Sequence, residues 1–246
     1  MNILFPIAGI GSRFETQGYK VPKPLVRVKG KSLIKHSIDT LNLNGNYIFV
    51  CRKYKNESYN KQIKELINRT YPIAKLILLD KPTQGAAETC LAAKKYIDND
   101  DPLVITNGDQ YLNWNSNTFL DHIYNIDPDG CVSLYDHEDI EVGKESRYAF
   151  VALDDKGFAT QFAEKFAISK HALNGIHYWK HGKDFVSSVK KMIADDIRVN
   201  GEFYFSPAFN YLIEDGKKIT TFKMQQHEYY SLGSPEEIAK NLDSIN

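Results

Sequence analysis

Two short segments near the start of the chain hold the residues best suited to chemistry. An apolar run, Ile3–Ala8, leads into Gly9-Ile10-Gly11-Ser12-Arg13-Phe14, and Pro22-Lys23-Pro24-Leu25 follows. Glycines let backbone N–H groups approach anionic oxygens. Arg13 and Lys23 add fixed positive charge where a phosphoryl transfer would develop negative charge. Together they read as a cradle for a triphosphate. A bare Gly-x-Gly is more often a flexible turn with solvated charges. An arginine inside the loop and a lysine between two prolines make the joint pattern more specific. Two common nucleotide motifs fail on spacing. The dinucleotide fingerprint needs a third glycine where Phe14 stands, and a P-loop needs a glycine five residues before Gly30-Lys31-Ser32, where Leu25 stands.

The elements that must position these residues alternate in type. Ile3–Ala8, Tyr47–Cys51, Lys75–Leu79 and Leu103–Thr106 read as strands. Ser32–Leu41, Ser58–Arg69 and Ala86–Ile97 read as amphipathic helices, with Leu33, Ile34, Ile38 and Leu41 sharing one side of the first. Such alternation implies an α/β fold, a parallel sheet flanked by helices. Ligands bind at the carboxyl ends of such strands. Gly9–Arg13 and Asn107-Gly108-Asp109 each follow a strand, so both are expected on one edge.

The second half is less regular. Cys131–Tyr135, Ala149–Leu153, Phe158–Ala163, Gly175–Trp179, Lys218–Phe222 and Tyr229–Leu232 read as strands. Lys183–Ile193, Pro207–Glu214 and Pro235–Leu242 read as helices, and Asp154-Asp155-Lys156-Gly157 is a hairpin turn signal. With no linker or repeat in view, a single domain over 1–246 is expected, its second half completing the sheet and covering the site.

Composition narrows the class. A net charge of zero argues against a general nucleic-acid binder. The longest apolar runs are too short to span a bilayer, and the chain opens on strand-like residues, not a secretory leader. Cys51, Cys90 and Cys131 are odd in number and widely spaced, as reduced core cysteines would be. A cytoplasmic protein is the expectation. His177 and His181 sit at a strand end and a turn, so a zinc pair is not expected, and no nucleophile-elbow motif occurs.

The motifs together resemble the nucleotidyltransferases, or pyrophosphorylases, that make sugar nucleotides and related activated compounds. The shared features are Gly9-x-Gly11-Ser12-Arg13-Phe14, Pro22-Lys23-Pro24-Leu25, Thr83-Gln84-Gly85-Ala86-Ala87-Glu88, Asn107-Gly108-Asp109, Glu164-Lys165, Asn174-Gly175-Ile176, Gly201-Glu202-Phe203-Tyr204 and Leu232-Gly233-Ser234-Pro235-Glu236. They run in order through nearly the whole chain. The resemblance implies a Rossmann-like, mixed but mainly parallel sheet of the GT-A-like kind. It also implies a nucleotide-binding half (1–125) and an acceptor-binding half (126–246).

The implied reaction is attack of an acceptor phosphate on the α-phosphorus of a nucleoside triphosphate, with pyrophosphate leaving. By resemblance, Arg13 and Lys23 are catalytic. Ala8, Gly9, Gly11, Ser12, Gln84, Gly85, Ala86 and Gly108 bind the nucleotide. Glu164, Lys165, Asn174, Gly175 and Glu202 meet the acceptor. Asp109 holds Mg²⁺, with Mn²⁺ as a substitute. One departure stands out: the family usually places a second metal-binding Asp where this chain has Ser231. Either Asp109, phosphates and water hold the metal, or another carboxylate enters, Glu228 and Glu202 being candidates.

Size and opening segment resemble compact cytidylyltransferases, including phosphocholine and phosphoglutamine types of bacterial capsule clusters. CTP and a small phosphorylated non-hexose acceptor are therefore expected as partners. A sugar-1-phosphate uridylyl- or thymidylyltransferase is the nearest alternative. A glycosyltransferase would more commonly carry Asp-x-Asp, unlike Asp109-Gln110-Tyr111. A non-catalytic nucleotide-binding protein is a further alternative.

Overall fold

The computed structural model describes residues 1–245. Strand β1 (Asn2–Ile7) ends at the glycine loop, and a short helix, α1 (Ser12–Thr16), follows. Pro22 and Pro24 frame a single 3₁₀ turn, Lys23–Leu25. A small hairpin, β2 (Arg27–Val28) and β3 (Lys31–Ser32), leads into α2 (Leu33–Leu41). Then come β4 (Asn46–Arg52), α3 (Glu57–Thr70) and β5 (Lys75–Leu79). The helix expected over Ala86–Ile97 is two helices, α4 (Ala86–Leu91) and α5 (Lys94–Ile97), separated at Ala92–Ala93. β6 (Leu103–Thr106) closes this alternating series.

Two further elements, like the β2–β3 hairpin, were not expected from the sequence. β7 (Gln110–Leu112) follows Asp109 directly. α6 (Ser116–Ile126) starts at Asn115, whose side chain accepts from Asn117 N–H, and it buries Phe119 and Ile123. That cap and the i,i+4 apolar pair are sequence signals.

The second half contributes β8 (Gly130–Asp136), β9 (Glu145–Leu153), β10 (Ala159–Phe166) and β11 (His171–Trp179). After them come α7 (Gly182–Ala194), α8 (Ala208–Glu214), β12 (Ile219–Lys223), β13 (Tyr229–Ser231) and α9 (Pro235–Asn241). The Asp154–Gly157 turn joins β9 to β10 as expected, with Asp154 Oδ1 accepting from Lys156 and Phe158 N–H. The late strand β13 does not join the main sheet. It pairs antiparallel with β7, setting Ser231 opposite Gln110.

The main sheet runs β10-β9-β11-β6-β1-β4-β5, with β8 against β11 and β12 against β8. Its centre is parallel: β6, β1, β4 and β5 pair in that sense. β11 turns antiparallel on β6. Strand order runs outward from β1 to β4 and β5 on one side and to β6 on the other, and the chain leaves β1 and β6 on the same edge. A crevice opens at such a switch point.

Helices cover both faces. Ile34, Ile38, Ile63, Ile67, Phe119 and Ile123 bury one face, while Ala87, Cys90, Phe185, Val189, Phe209 and Leu212 bury the other. A third cluster forms under the loops: Phe14, Val26, Val28, Leu33, Tyr111, Leu232 and Ile245. Each such side chain contributes about 1.5–3 kcal/mol when fully buried. The cluster thus ties the glycine loop, the segment after Asp109 and the late Leu232 loop to one another. No helix of the described residues is long and apolar enough to cross a membrane.

Candidate active site

Gly11 takes a left-handed conformation (φ 77°) at the start of α1. A Cβ there would stand 2.9 Å from the Cβ of Lys23. The glycine therefore permits both the turn and the approach of the lysine segment. Lys23 reaches across the mouth of the crevice and donates from Nζ to Oδ2 of Asp109. Asp109 is itself fixed from behind, because its carbonyl accepts from Leu232 N–H at 2.8 Å. Arg13 is largely exposed, with its guanidinium 3.9 Å from Glu237 Oε2.

Beyond this pair lies a cleft of about 660 Å³, within the range of small-molecule sites. Ser12, Arg13, Ala86 and Asp109 line one side, and Glu164, Lys165, Glu202 and Tyr204 line another. A smaller recess of about 150 Å³ adjoins it, bounded by Gly9, Lys23, Gly108 and Asp109. Gly108 packs flush on Ile7, whose Cγ2 lies 2.3 Å from where a Cβ would be.

Across the cleft, β10 carries a bulge between Glu164 and Phe166. Lys165 sits in it at φ 57°, a strained conformation for a residue with a Cβ. The bulge re-aims the lysine. Its ammonium lies 4.4 Å above the Tyr204 ring and donates to the Tyr204 hydroxyl, which donates to Glu202 Oε2 at 2.5 Å. Glu164 accepts from Ser206 at 2.5 Å. Burial raises the Glu164 carboxyl above the usual range, with the Ser206 hydroxyl and Lys165 opposing it. Burial also holds the Tyr204 phenol protonated, and Glu202 adds to the effect.

β11 forms the floor. Gly175 adopts φ 89° at a register shift between Leu173 and His177. Its missing Cβ would fall 2.0 Å from Asn107 Nδ2. Asn107 N–H donates to the Gly175 carbonyl at 3.3 Å. His177 is buried beside it, its ring 4.7 Å from that of Phe205. Burial pushes its imidazole down to about 3.

Three expected positions have protein partners of their own. Asn174, expected at the acceptor, is buried in β11. It accepts from Ser133 and donates to Met224 Sδ at 3.0 Å, so its side chain serves the strand packing. Gln84, expected at the base, accepts from Arg198 Nη2 at 2.9 Å. Gly85 packs on the backbone of Phe203, where a Cβ would come within 2.4 Å of both N and O. Ala8 follows β1, half-buried. Of the carboxylates weighed as partners of Asp109, Glu202 lies in the Tyr204 chain and Glu228 caps a 3₁₀ turn through Gln225 N–H at 2.6 Å.

Arg147, Tyr148 and Glu237 also line the cleft, and the sequence reading did not single them out. Arg147 donates to the Tyr148 hydroxyl at 2.7 Å and pairs with Glu237 Oε1 at 3.3 Å. Arg147 belongs to an ordinary strand pattern that carries no motif. Glu237 follows Ser234-Pro235-Glu236, where an acidic residue in a helix's first turn is unremarkable.

A model of the nucleotidyl transferase family matches residues 7–241. Among curated proteins, the bifunctional protein GlmU of Methanocaldococcus jannaschii is 25% identical over 250 residues, covering 100% of this chain and 55% of that one. The chain thus spans about half the length of that relative. Among solved structures, a nucleoside-diphosphate-sugar pyrophosphorylase from Vibrio cholerae superposes with a TM-score of 0.80 at 23% identity, covering 98% of this chain and 99% of that one. The CTP:phosphocholine cytidylyltransferase LicC of Streptococcus pneumoniae gives 0.72 at 18% identity, covering 100% and 98%. These likenesses show a common fold. With the family model matched over almost the full length, the chain belongs to the nucleotidyl transferase family.

Proposed function

We propose that the protein transfers a nucleotidyl group from a nucleoside triphosphate, CTP in the first instance, to a small phosphorylated acceptor such as phosphoglutamine or phosphocholine. One observation carries the reading. Lys23, on its 3₁₀ turn, meets Asp109 just past the end of β6, and Glu164 and Lys165 line the same cleft as Asp109. A triphosphate and an acceptor phosphate have a charged group of the right sign on either side.

The acceptor phosphate oxygen forms a bond to the α-phosphorus, and the bond from that phosphorus to the bridging oxygen breaks. Pyrophosphate leaves with the electron pair. The acceptor is already ionised, so no general base is required, and alignment with charge neutralisation is the protein's task. Arg13 would hold the departing phosphates and Lys23 the α-phosphate or bridging oxygen. Lys165, held by Tyr204, would meet the acceptor phosphate, and Glu164 would accept from its polar groups. Asp109 offers the hard carboxylate oxygen that Mg²⁺ prefers, and the ion when bound would neutralise phosphate charge.

In this reading residues 1–125 handle the nucleotide and 126–246 the acceptor. The choice of CTP is supported by the opening and Glu202-Phe203-Tyr204 segments, and a role in bacterial surface polysaccharide synthesis in the cytoplasm goes with it. The likeness to the nucleoside-diphosphate-sugar pyrophosphorylase from Vibrio cholerae supports a sugar-1-phosphate acceptor as the second reading. The test is a pyrophosphate-release matrix. Four nucleoside triphosphates are each paired with phosphoglutamine, phosphocholine and a panel of sugar-1-phosphates, with Mg²⁺ or Mn²⁺. Release with CTP and a non-hexose acceptor is expected. Background in every combination overturns the enzyme reading.

A further inference from the structure

Ser231 leaves the site one carboxylate short of its family pattern, and a buried one stands close by. Glu237 sits in the first turn of α9, with its side chain 12% exposed. Oε1 faces Arg147 at 3.3 Å. Oε2 is buried and has no hydrogen-bond partner. Arg13 approaches that oxygen only to 3.9 Å. An unpartnered buried carboxylate oxygen is costly unless something occupies it.

Oε2 borders the space beside Gly233. A Cβ on Gly233 would lie 3.0 Å from Asp109 Oδ2, 3.1 Å from Glu237 Oε2 and 3.4 Å from Ser231 Oγ. Three oxygens from three segments therefore converge on the space that this glycine keeps open. Asp109 Oδ2 already has one cation against it, the Lys23 ammonium. Mg²⁺ is typically held by one or two carboxylates, with substrate phosphates and water filling the rest. The donor set fits that pattern.

We infer that Glu237 is the second carboxylate of the divalent-cation site, taking through α9 the part that Ser231 cannot play. Asp109 supplies Oδ2, Glu237 supplies Oε2, and Ser231 faces the same space with a neutral hydroxyl. Arg147 holds the other Glu237 oxygen and so orients the carboxylate. The inference rests on the nucleotidyl-transfer reading for its biological sense, but cation binding is measured without turnover.

The experiment titrates the full-length protein with Mn²⁺ alone, following free Mn²⁺ by electron paramagnetic resonance. Losing even an outer-shell partner of a metal ligand typically costs about 10–100-fold in affinity. Asp109→Asn and Glu237→Gln should therefore each weaken Mn²⁺ binding by about tenfold or more, while Glu202→Gln and Glu228→Gln should not. Ser231→Asp added to Glu237→Gln should restore binding, which also guards against a variant that merely folds poorly. Arg147→Met tests a purely structural role. It breaks the pair that orients Glu237 but leaves both carboxylates in place, so it should weaken Mn²⁺ binding less than Glu237→Gln does.

Wild-type affinity in Glu237→Gln, no Mn²⁺ bound by the wild type, or equal losses in Arg147→Met and Glu237→Gln would each overturn the inference. Pyrophosphate release by the wild type is scored separately. Turnover with Mn²⁺ affinity independent of Glu237 sinks the inference alone. Glu237-dependent Mn²⁺ binding without turnover on any substrate pair sinks the functional reading alone.

Discussion

Lys23 and Asp109 lie 86 residues apart in sequence and join in a partly buried ion pair across the gap between β1 and β6. Asp109 follows the end of β6 and Lys23 sits on the 3₁₀ turn after α1, and each is braced from behind. Pro22 and Pro24 frame the lysine, and Leu232 N–H holds the Asp109 carbonyl. The pair therefore marks a fixed point of the cleft. If phosphates enter as proposed, its charges would be shared out again.

If Lys23 and Arg13 act on the triphosphate, removing either should cost turnover more than acceptor binding. A single preorganised donor is typically worth about 2.7–4 kcal/mol in the transition state. Lys23→Ala and Arg13→Ala should each lower kcat by roughly a hundred- to a thousandfold, with a much smaller change in acceptor KM. Steady-state pyrophosphate release checks this. Near-normal turnover in either variant removes that residue from the mechanism.

Much of this arrangement is legible in the sequence, because it depends on local rules. The strand periodicities of Ile3–Ala8 and Leu103–Thr106 put Gly9–Arg13 and Asp109 at strand ends, and parallel pairing then puts them on one edge. What was not legible depends on distant packing. Asn174 lies in a Gly-containing segment that resembles an acceptor strand, but its neighbours across the sheet, Ser133 and Met224, claim its side chain. Gln84 accepts from Arg198, a contact that no local spacing announces. Glu237 enters the cleft because the Leu232 loop packs with Phe14 and Tyr111, a three-segment contact with no sequence period.

Gly11 gives a test of the loop independent of any charged group. Gly11→Ala places a Cβ in the left-handed region, costing about 1–2 kcal/mol, and drives it toward the Lys23 side chain at 2.9 Å. We expect a lowered unfolding midpoint together with a loss of turnover, since the clash displaces the lysine. Denaturant titration and pyrophosphate release measure the two effects. A variant with unchanged stability and turnover would show that the approach of Lys23 to the loop is immaterial.

The Lys165–Tyr204–Glu202 chain predicts a different kinetic signature. Tyr204→Phe keeps the ring under the ammonium but removes the hydroxyl that accepts from Lys165 and donates to Glu202. Hydrogen bonds to charged groups are worth about 1.5–3 kcal/mol. Acceptor KM should rise roughly ten- to a hundredfold, while KM for the nucleotide stays within about twofold. A rise confined to the nucleotide would assign Lys165 to the other substrate.

His177 predicts part of the protein's acid sensitivity. Its imidazole is held neutral by burial, with a folded pKa of about 3 against 6.5 when unfolded. Between those values the unfolded state binds the extra proton, so stability rises with pH across the window. The contribution is fully present above about 6.5 and is lost as pH falls toward about 3. The slope from one such group reaches about 1.4 kcal/mol per pH unit. His36 and His122 are shifted the same way by burial and add to it. His177→Phe suits the ring environment of Phe205 and Phe209 and removes the titrating group. Urea unfolding at about pH 7.5 and about pH 5 should then show a smaller stability loss in the variant than in the wild type, by about 1–2 kcal/mol. An equal loss in both proteins would mean that His177 is protonated in the folded state at mildly acid pH, and that the cleft floor is wetter than its packing implies.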